Sequence, residues 1–397
     1  MRTDNGSPSA MARAVSFTAS RQVKRPATSA PLGKAASRRK VQFGNRKVAV
    51  GSLQRLADST PLFRAGDWAA LRARLHADGV LLVRGVVDRA VAVDARRLLL
   101  KTVEQKGALA PGSNYQDGII GTGKDGKLVP GYTVDALSGG LTDERDDDQD
   151  GWLAVGTSTT MSSVFDGGNL RGFLAGLFGG PDNIETLPEN TWLRLKGRGD
   201  VTIEHADYFY FKRSTDMFER YATDDEKVPH DGSCGACGRT TGSMVHCGLC
   251  TRGWHTSCMD ASARPSGASS SVSTWHCSSC ADGPLSVFTC WCALGDIDLQ
   301  DSTLAFVPGT HTLTGYDRPR AGEQVPSSFK GGSARWHVAD GTLRPGDIFI
   351  FNVKTIHCAS KNGTTRFRAS LDTRVELTRP GRRAWPRLVA EAAPQLK

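Results

Sequence analysis

This chain of 397 residues lacks long apolar runs, and its N-terminal segment has almost no acidic residues. No stretch approaches 18 consecutive apolar residues, which excludes a membrane-spanning helix. Residues 1–50 contain eleven Lys and Arg but one acid, a balance of +10, whereas the whole chain carries +9. The basic character therefore belongs to this segment, and the charges of the remainder nearly cancel.

Residues 1–50 are rich in Ser, Ala, Arg and Lys and show no apolar periodicity. This composition cannot bury a core, so we predict a disordered basic tail. The basic stretch from Lys34 to Lys40 fits a nuclear localisation patch. An acid-poor segment with many Ser and Arg fits an organellar transit peptide equally well, so the tail leaves the location open.

Cysteine is sparse, with ten in the chain, but seven of them fall in one short region. Their pairwise spacing and the lack of a secretory signal favour metal binding over disulfides. Together with one histidine they form four close pairs, which supply two tetrahedral zinc sites. The run reads Cys234-x2-Cys237-x9-Cys247-x2-Cys250-x4-His255-x2-Cys258-x18-Cys277-x2-Cys280.

The order of these ligands, with His255 fifth and Trp275 two residues before the seventh, resembles a PHD finger. The resemblance implies a cross-braced pair of ions, with alternate ligand pairs sharing a site. One zinc would have the ligands Cys234, Cys237, His255 and Cys258, and the other Cys247, Cys250, Cys277 and Cys280. PHD fingers commonly bind histone H3 tails, which makes a histone partner one interpretation. A zinc-stapled scaffold without a reading function is the other.

The rest of the sequence predicts two helices in its early part and many short strands, which are bounded by Gly and Pro turns. This pattern predicts a mainly β fold with flanking helices, arranged as an antiparallel sandwich or barrel. Helices are predicted at 67–78 and 91–106, and strands at 79–87, 192–196, 208–211, 287–294, 303–307, 347–351 and 368–375.

His205 and Asp207 stand at the start of a strand-like run, and alternate residues of a strand point to one face. His357 follows another strong strand and can complete a two-histidine, one-carboxylate set, which leaves positions on iron open for cosubstrate and oxygen. Arg368, with Ser370 two residues later, can bind the distal carboxylate of 2-oxoglutarate. Arg366 is a rival anchor nine residues after His357.

These pieces together resemble the phytanoyl-CoA dioxygenase family of Fe(II)/2-oxoglutarate oxygenases. The resemblance implies a double-stranded β-helix of the jelly-roll or cupin type, with His205, Asp207 and His357 as iron ligands. It also implies that Arg368 and Ser370 bind 2-oxoglutarate. The matching segments are 192–196, His205-Ala-Asp207, 291–298, 306–311, Pro345-Gly-Asp347 and His357-x10-Arg368.

The chain departs from the family by an insertion that contains the whole finger. We expect the oxygenase domain in two parts, 51–228 and 284–376, with the finger at 229–283 between them. A folded module tolerates this position when its ends lie close together. The tail at 1–50 and a weakly structured C-terminal tail at 377–397 complete the predicted layout.

The predicted function is an Fe(II)/2-oxoglutarate-dependent dioxygenase that hydroxylates a C–H bond, with O2 and 2-oxoglutarate as cosubstrates. Fe(II) and two Zn2+ would be its metals, with ascorbate as an aid to turnover. A histone tail or a modified DNA base would be the substrate, and the nucleus the location, with an organelle or the cytoplasm as alternatives. Two rival functions stay open: a small-molecule hydroxylase and a non-catalytic histone-tail reader.

Overall fold

The computed structural model describes residues 39–139, 141, 149–211, 234, 237, 239–246, 253–259, 287–313, 316 and 324–392. Its helices are α1(Thr60–Ala65), α2(Trp68–Asp78), α3(Arg89–Gln105), α4(Gln149–Gly156), α5(Thr159–Asp166), α6(Gly168–Phe178), α7(Tyr208–Phe211) and α8(Arg379–Ala392). Its strands are β1(Lys40–Phe43), β2(Arg46–Ala49), β3(Gln54–Arg55), β4(Val80–Val83), β5(Tyr132–Asp135), β6(Ile184–Lys196), β7(Thr202–His205), β8(Met244–His246), β9(Gly253–His255), β10(Val287–Ala293), β11(Leu304–Phe306), β12(His337–Val338), β13(Ile348–Asn352), β14(His357–Ala359) and β15(Arg368–Leu377).

Two sheets form the core of the molecule. The larger has the order β4-β13-β10-β15-β6-β5, and the smaller has the order β3-β12-β11-β14-β7. Their facing surfaces share an apolar cluster, in which the ring of Phe306 lies 5.0 Å from that of Phe349 and 5.1 Å from that of Phe351. This two-sheet packing confirms the predicted mainly β architecture.

The outer face of the larger sheet is covered by helices. Leu81, Cys290, Ile350 and Leu371 on the strands belong to one buried cluster with side chains of α2, α3, α5 and α6. Since both faces are buried, β4, β10 and β13 are buried along their whole length. This explains why their sequences are continuously apolar instead of alternating.

The turn between α2 and β4 requires a glycine. Asp67 caps the start of α2 by accepting from the amide of Ala70, and Gly79 ends it with φ of 73°. A Cβ on Gly79 would lie 2.4 Å from Nδ1 of His311 and 2.6 Å from Oγ1 of Thr355. Left-handed geometry and close packing therefore both exclude other residues here.

Three predicted features differ from the structure. Residues 40–49 were expected in the disordered tail, but β1 and β2 form a hairpin there, and residues 1–38 lie outside the described range. The segment 208–211 is helical, and its neighbouring side chains Tyr208 and Phe209 are both buried, whereas a strand would turn one of them to the opposite face. The C-terminal segment is also not weakly structured, since α8 spans 379–392.

Helix α8 packs on the helical layer through an aromatic contact. The Trp385 ring lies 5.2 Å from Phe178 and 5.9 Å from Phe288. The polar composition of α8 hides this contact in the sequence. Among the described helices, none is both long and apolar enough to cross a membrane.

We expect Trp385→Ala to lower the free energy of unfolding by about 2 kcal/mol, because a half-buried aromatic contact is lost. Arg387→Ala is the matched control on the same helix. Its ion pair with Glu391 is exposed and should contribute little. Urea unfolding of the full chain measures both, and equal stability of the two variants would contradict a docked α8.

Candidate metal centre and anion site

Three buried side chains from two strands and one turn converge at one end of the smaller sheet. His205 ends β7, and its Cα partner across the sheet is His357, the first residue of β14. Asp207 lies in the turn between β7 and α7. The sequence predicted that His205 and Asp207 share one face of a strand, and this prediction was wrong. Asp207 lies in the turn after β7, and this turn places its carboxylate near the His205 ring.

Ligand atoms of these three residues all lie within 4.8 Å of one another. Oδ1 of Asp207 lies 3.4 Å from Nε2 of His205 and 3.6 Å from Nε2 of His357. The other ring nitrogens face backbone carbonyls: Nδ1 of His205 lies 2.8 Å from O of Ile203, and Nδ1 of His357 lies 3.0 Å from O of Thr355. Because a carbonyl only accepts, each Nδ1 carries the proton and each Nε2 presents a lone pair.

Two imidazole lone pairs and a carboxylate oxygen thus point at one small volume. Burial, followed by the neighbouring His205, lowers the pKa of His357 to about 3, which keeps this ring neutral. The donor set fits a divalent transition metal, and two His with one carboxylate is the set used by non-haem Fe(II). Carbonyls on both Nδ1 atoms fix the tautomers that such a metal needs.

The second oxygen of Asp207 is held by two donors from the larger sheet. Thr289 Oγ1 donates to Oδ2 at 2.6 Å, and Arg374 Nη2 lies 3.1 Å from the same oxygen. Burial alone would raise the pKa of Asp207, but the charge of Arg374 opposes it, and the pKa lies well below its usual range. The carboxylate is therefore charged and turned so that Oδ1 alone faces the histidines.

Arg374 belongs to a buried chain of alternating charge. Its Nη1 donates to Oδ2 of Asp372 at 2.8 Å, and Asp372 also accepts from Arg194 through both of its oxygens. Burial would raise the pKa of Asp372, and the two guanidinium groups lower it instead. Arg194 forms the outer end of this chain, where the ring of Trp192 lies 5.8 Å from its guanidinium carbon.

Arg368 is buried in the same space between the two sheets, which we call the barrel interior. Its Nε donates to O of Ser302 at 3.1 Å, its Nη1 donates to Oγ of Ser370, and Trp291 lies beneath the guanidinium group at 5.6 Å. Burial, with the charge of Arg194, lowers the pKa of Arg368 to about 9. Arg366 is exposed, so the structure separates the two rival anchors and places only Arg368 inside.

The sequence did not reveal Thr289, Asp372 and Arg374 as part of the site. A signal was present in β15, where Arg368, Ser370, Asp372 and Arg374 alternate with Ala369, Leu371, Thr373 and Val375. Such alternation in a buried strand marks one polar face and one apolar face. The polar face of β15 points to the barrel interior, because Ala369, Leu371 and Val375 pack under the helices.

Tyr210 and Ile203 stay accessible beside the histidines. Tyr210 is 48% exposed although its ring lies 5.5 Å from the His205 ring, and Ile203 is 39% exposed. His311, by contrast, is turned away from the centre, with Nε2 2.9 Å from O of His76. Tyr210 is thus an exposed aromatic side chain next to the His205 ring.

Half of the predicted zinc ligands fall in the described residues. Cys234, Cys237, His255 and Cys258 have ligand atoms within 4.8 Å of one another. The four come from the first and third pairs of the run, which is the grouping that cross-bracing requires. Cys247, Cys250, Cys277 and Cys280 lie outside the described residues.

Comparison with known families gives one match. The family model described as Phytanoyl-CoA dioxygenase (PhyH) matches residues 204–370, which is less than half of the chain. The matched span contains His205, Asp207, His357, Arg368 and Ser370. A comparison with curated proteins found no match.

Several solved structures resemble the fold at low identity. The epimerase SnoN in complex with Fe3+, alpha ketoglutarate and nogalamycin RO is 18% identical, with a TM-score of 0.41 over 79% of this chain and 84% of that chain. AviO1 from Streptomyces viridochromogenes Tue57 is 14% identical, with a TM-score of 0.39 over 78% and 95%. EctD from S. alaskensis with 2-oxoglutarate and 5-hydroxyectoine is 15% identical, with a TM-score of 0.37 over 77% and 75%.

Replacing Arg374 by Met should weaken Fe(II) binding by about 10- to 100-fold, because the carboxylate of Asp207 loses the partner that orients it. Anaerobic equilibrium dialysis of the zinc-loaded full chain measures this affinity. Arg344→Met is the control, since Arg344 pairs with Asp296 at the surface. Unchanged iron affinity in Arg374→Met would show that Thr289 alone orients the carboxylate.

Proposed function

We propose that this chain is an Fe(II)/2-oxoglutarate-dependent oxygenase that hydroxylates a C–H bond. One observation carries the proposal: His205, Asp207 and His357 present three metal-binding atoms in the barrel that also buries Arg368. Two histidines with one anionic oxygen suit Fe(II) and leave ligand positions open. The match of residues 204–370 to the dioxygenase family supports the same function.

In this proposal each residue has a defined task. His205, Asp207 and His357 hold the iron, and Arg368 with Ser370 holds the distal carboxylate of 2-oxoglutarate. Bound together with O2, the iron and this cosubstrate supply the oxidising chemistry that hydroxylates a C–H bond. Arg374 and Thr289 hold Oδ2 of Asp207, so that Oδ1 is the oxygen that would bind the metal.

The barrel also controls access to the reaction. The apolar rings of Phe306 and Phe351 pack against His357 and exclude water from that side of the centre. Tyr210, which is exposed beside His205, is the side from which this proposal brings the substrate. A substrate would therefore approach past Tyr210, with its reacting carbon directed toward the histidine pair.

Wild-type protein supplied with Fe(II), ascorbate, O2 and 2-oxoglutarate should release succinate and CO2. Arg368→Met should raise the KM for 2-oxoglutarate about 100-fold, because a charge-assisted pair is lost. Arg366→Met is the matched control two residues away, where the side chain is exposed. Absence of succinate from the wild type, or equal KM values for the two variants, would count against this function.

The proposal includes a chromatin substrate, with the inserted finger as the recognition module and the nucleus as the location. Its support is the clustering of Cys234, Cys237, His255 and Cys258, together with the resemblance of the ligand run to a PHD finger. The basic segment 1–50 adds charge that attracts phosphate or acidic partners without sequence preference. A histone tail or a modified DNA base is the substrate class that these features favour.

Binding of a histone H3 N-terminal peptide and of duplex DNA to the zinc-loaded full chain tests this part. We expect two zinc ions per chain, and at least tenfold weaker peptide binding when Cys258→Ala removes a ligand. Ser257→Ala is the control at the neighbouring exposed position. If the folded wild type retains two zinc ions yet binds neither peptide nor DNA, the finger is a scaffold and a small-molecule substrate is favoured.

A further inference from the structure

The hairpin of β1 and β2 is anchored to the smaller sheet through one of its two faces. Val41 and Phe43 on this face are buried in an apolar cluster with side chains of β11, β12 and β14. Arg46 stands opposite Phe43, and its Nε lies 2.8 Å from Oε1 of Glu204. Glu204 directly precedes His205 of the metal centre. The hairpin is therefore a fixed part of the fold beside this centre, and its other face has a defined position.

The other face of the hairpin carries lysines without acidic neighbours. Strand pairing places Lys40 opposite Ala49 and Lys47 opposite Gln42, and all four lie on this face. Diagonal neighbours in an antiparallel pair are about 7–8 Å apart, so the two lysines lie side by side. Residues 39–49 contain four Lys and Arg and no Asp or Glu. No acid of the hairpin itself therefore offsets these charges.

Two further exposed cations continue this face toward the turn between β6 and β7. The amide of Lys361 donates to O of Gln42 at 2.8 Å, so Lys361 adjoins the lysine face of the hairpin. A Cβ on Gly199 would lie 3.9 Å from Cε of Lys361, which places this side chain over the turn that contains Arg198. The four exposed cations, which we call the basic stripe, are Lys40, Lys47, Arg198 and Lys361.

The described part of the protein does not neutralise the basic stripe. Among the described residues, no carboxylate lies within ion-pair distance of any of its four cations. The nearby acids are engaged elsewhere, since Glu204 pairs with Arg46 and Asp200 accepts from the amide of Gly197. A solvated surface usually intersperses both signs of charge, whereas the stripe repeats one sign. Residues 1–38, which precede the hairpin, contain seven Lys and Arg and one acid, so the adjoining sequence continues the same charge.

The form of the stripe favours double-stranded DNA over other anionic partners. Its cations come from three separate segments of the chain, which suits an extended polyanion and not a single small ion. None of the four is aromatic, so the stripe offers no stacking platform for single-stranded nucleic acid. Only Gln42 and Ala49 accompany the lysines on the hairpin face, and neither can insert into a lipid surface as a large apolar side chain does. A basic histone tail would be repelled.

We propose that the basic stripe binds the phosphate backbone of double-stranded DNA and holds it beside the metal centre. Lys361 follows His357 by four residues, which keeps their Cα atoms within about 13 Å at the rise of a strand. Such contacts position a duplex without reading its sequence. The inference rests on the chromatin part of the proposed function for the choice of DNA. The binding itself requires neither iron nor the ligands of the finger.

Fluorescence anisotropy of a labelled DNA duplex, titrated with the zinc-loaded full chain, tests the stripe. Replacing its four cations together by Gln should weaken binding at least about tenfold at low salt, because fewer counterions are released from the DNA. The slope of log Kd against log salt concentration should decrease by about 3 to 4, since each phosphate contact contributes about 0.9. The stripe variant combines Lys40→Gln, Lys47→Gln, Arg198→Gln and Lys361→Gln.

A matched control removes the same net charge from the helical layer. It replaces by Gln four exposed cations on α1, α3 and α6, namely Arg64, Arg89, Lys101 and Arg171. Because both variants lose four positive charges, a difference between them reports position and not net charge. The control should keep the DNA affinity and the salt slope of the wild type. Both variants should unfold close to the wild-type Tm, because exposed side chains outside ion pairs contribute little to stability.

Each outcome decides between partners. Weaker DNA binding by the stripe variant alone supports the inference. Equal DNA binding by the two variants overturns it and leaves the finger or residues 1–38 as the DNA site. If the stripe variant instead loses binding to phosphatidylserine vesicles or to polyglutamate, with its DNA binding unchanged, the stripe serves a membrane or an acidic protein. If the wild type binds no DNA, the inference and the DNA part of the proposed function both fail, whereas succinate release still decides on the oxygenase.

Discussion

The rest of the site depends on one constraint: the carboxylate of Asp207 is buried away from water and must remain charged. An isolated buried carboxylate would neutralise itself by taking a proton, so its charge exists only while its partners stay in place. Those partners come from both sheets: the histidines from β7 and β14, Thr289 from β10 and Arg374 from β15. Asp207 can therefore stay charged only when the two sheets pack correctly against each other.

The alternation along β15 extends this requirement to the helical layer. Ala369, Leu371 and Val375 face the helices, so the residues between them must face the barrel interior. A slip of one residue would place Arg368, Asp372 and Arg374 under the helices and the apolar residues in the site. The cost of burying unpaired charge in the helical layer makes the register of β15 strongly specified. Apolar packing outside the barrel therefore fixes the positions of the charges inside it.

Much of this arrangement could be predicted from the sequence, because apolar strands and short ligand motifs are local patterns. The helix boundaries near 67–78 and the strands at 287–294 and 347–351 follow from apolar content and Gly or Pro punctuation. The placement of Asp207 could not be predicted, since a turn and a strand both bring it near His205. The role of Arg374 also escaped, because the alternation in β15 shows which face carries the arginine but not which distant carboxylate it pairs with. Helix α8 was missed because its polar sequence docks through Trp385.

The long segment between Asp207 and β10 shows why a long connection need not disturb the centre. Asp207 and Thr289 are 82 residues apart in the chain and 2.6 Å apart through their side chains. The entropy cost of closing a loop grows only with the logarithm of its length, so a longer connection adds little to the cost. The described cluster of Cys234, Cys237, His255 and Cys258 lies wholly within this long segment. The two described clusters share no ligand, so a change in the ligands of one leaves the ligand set of the other as it is.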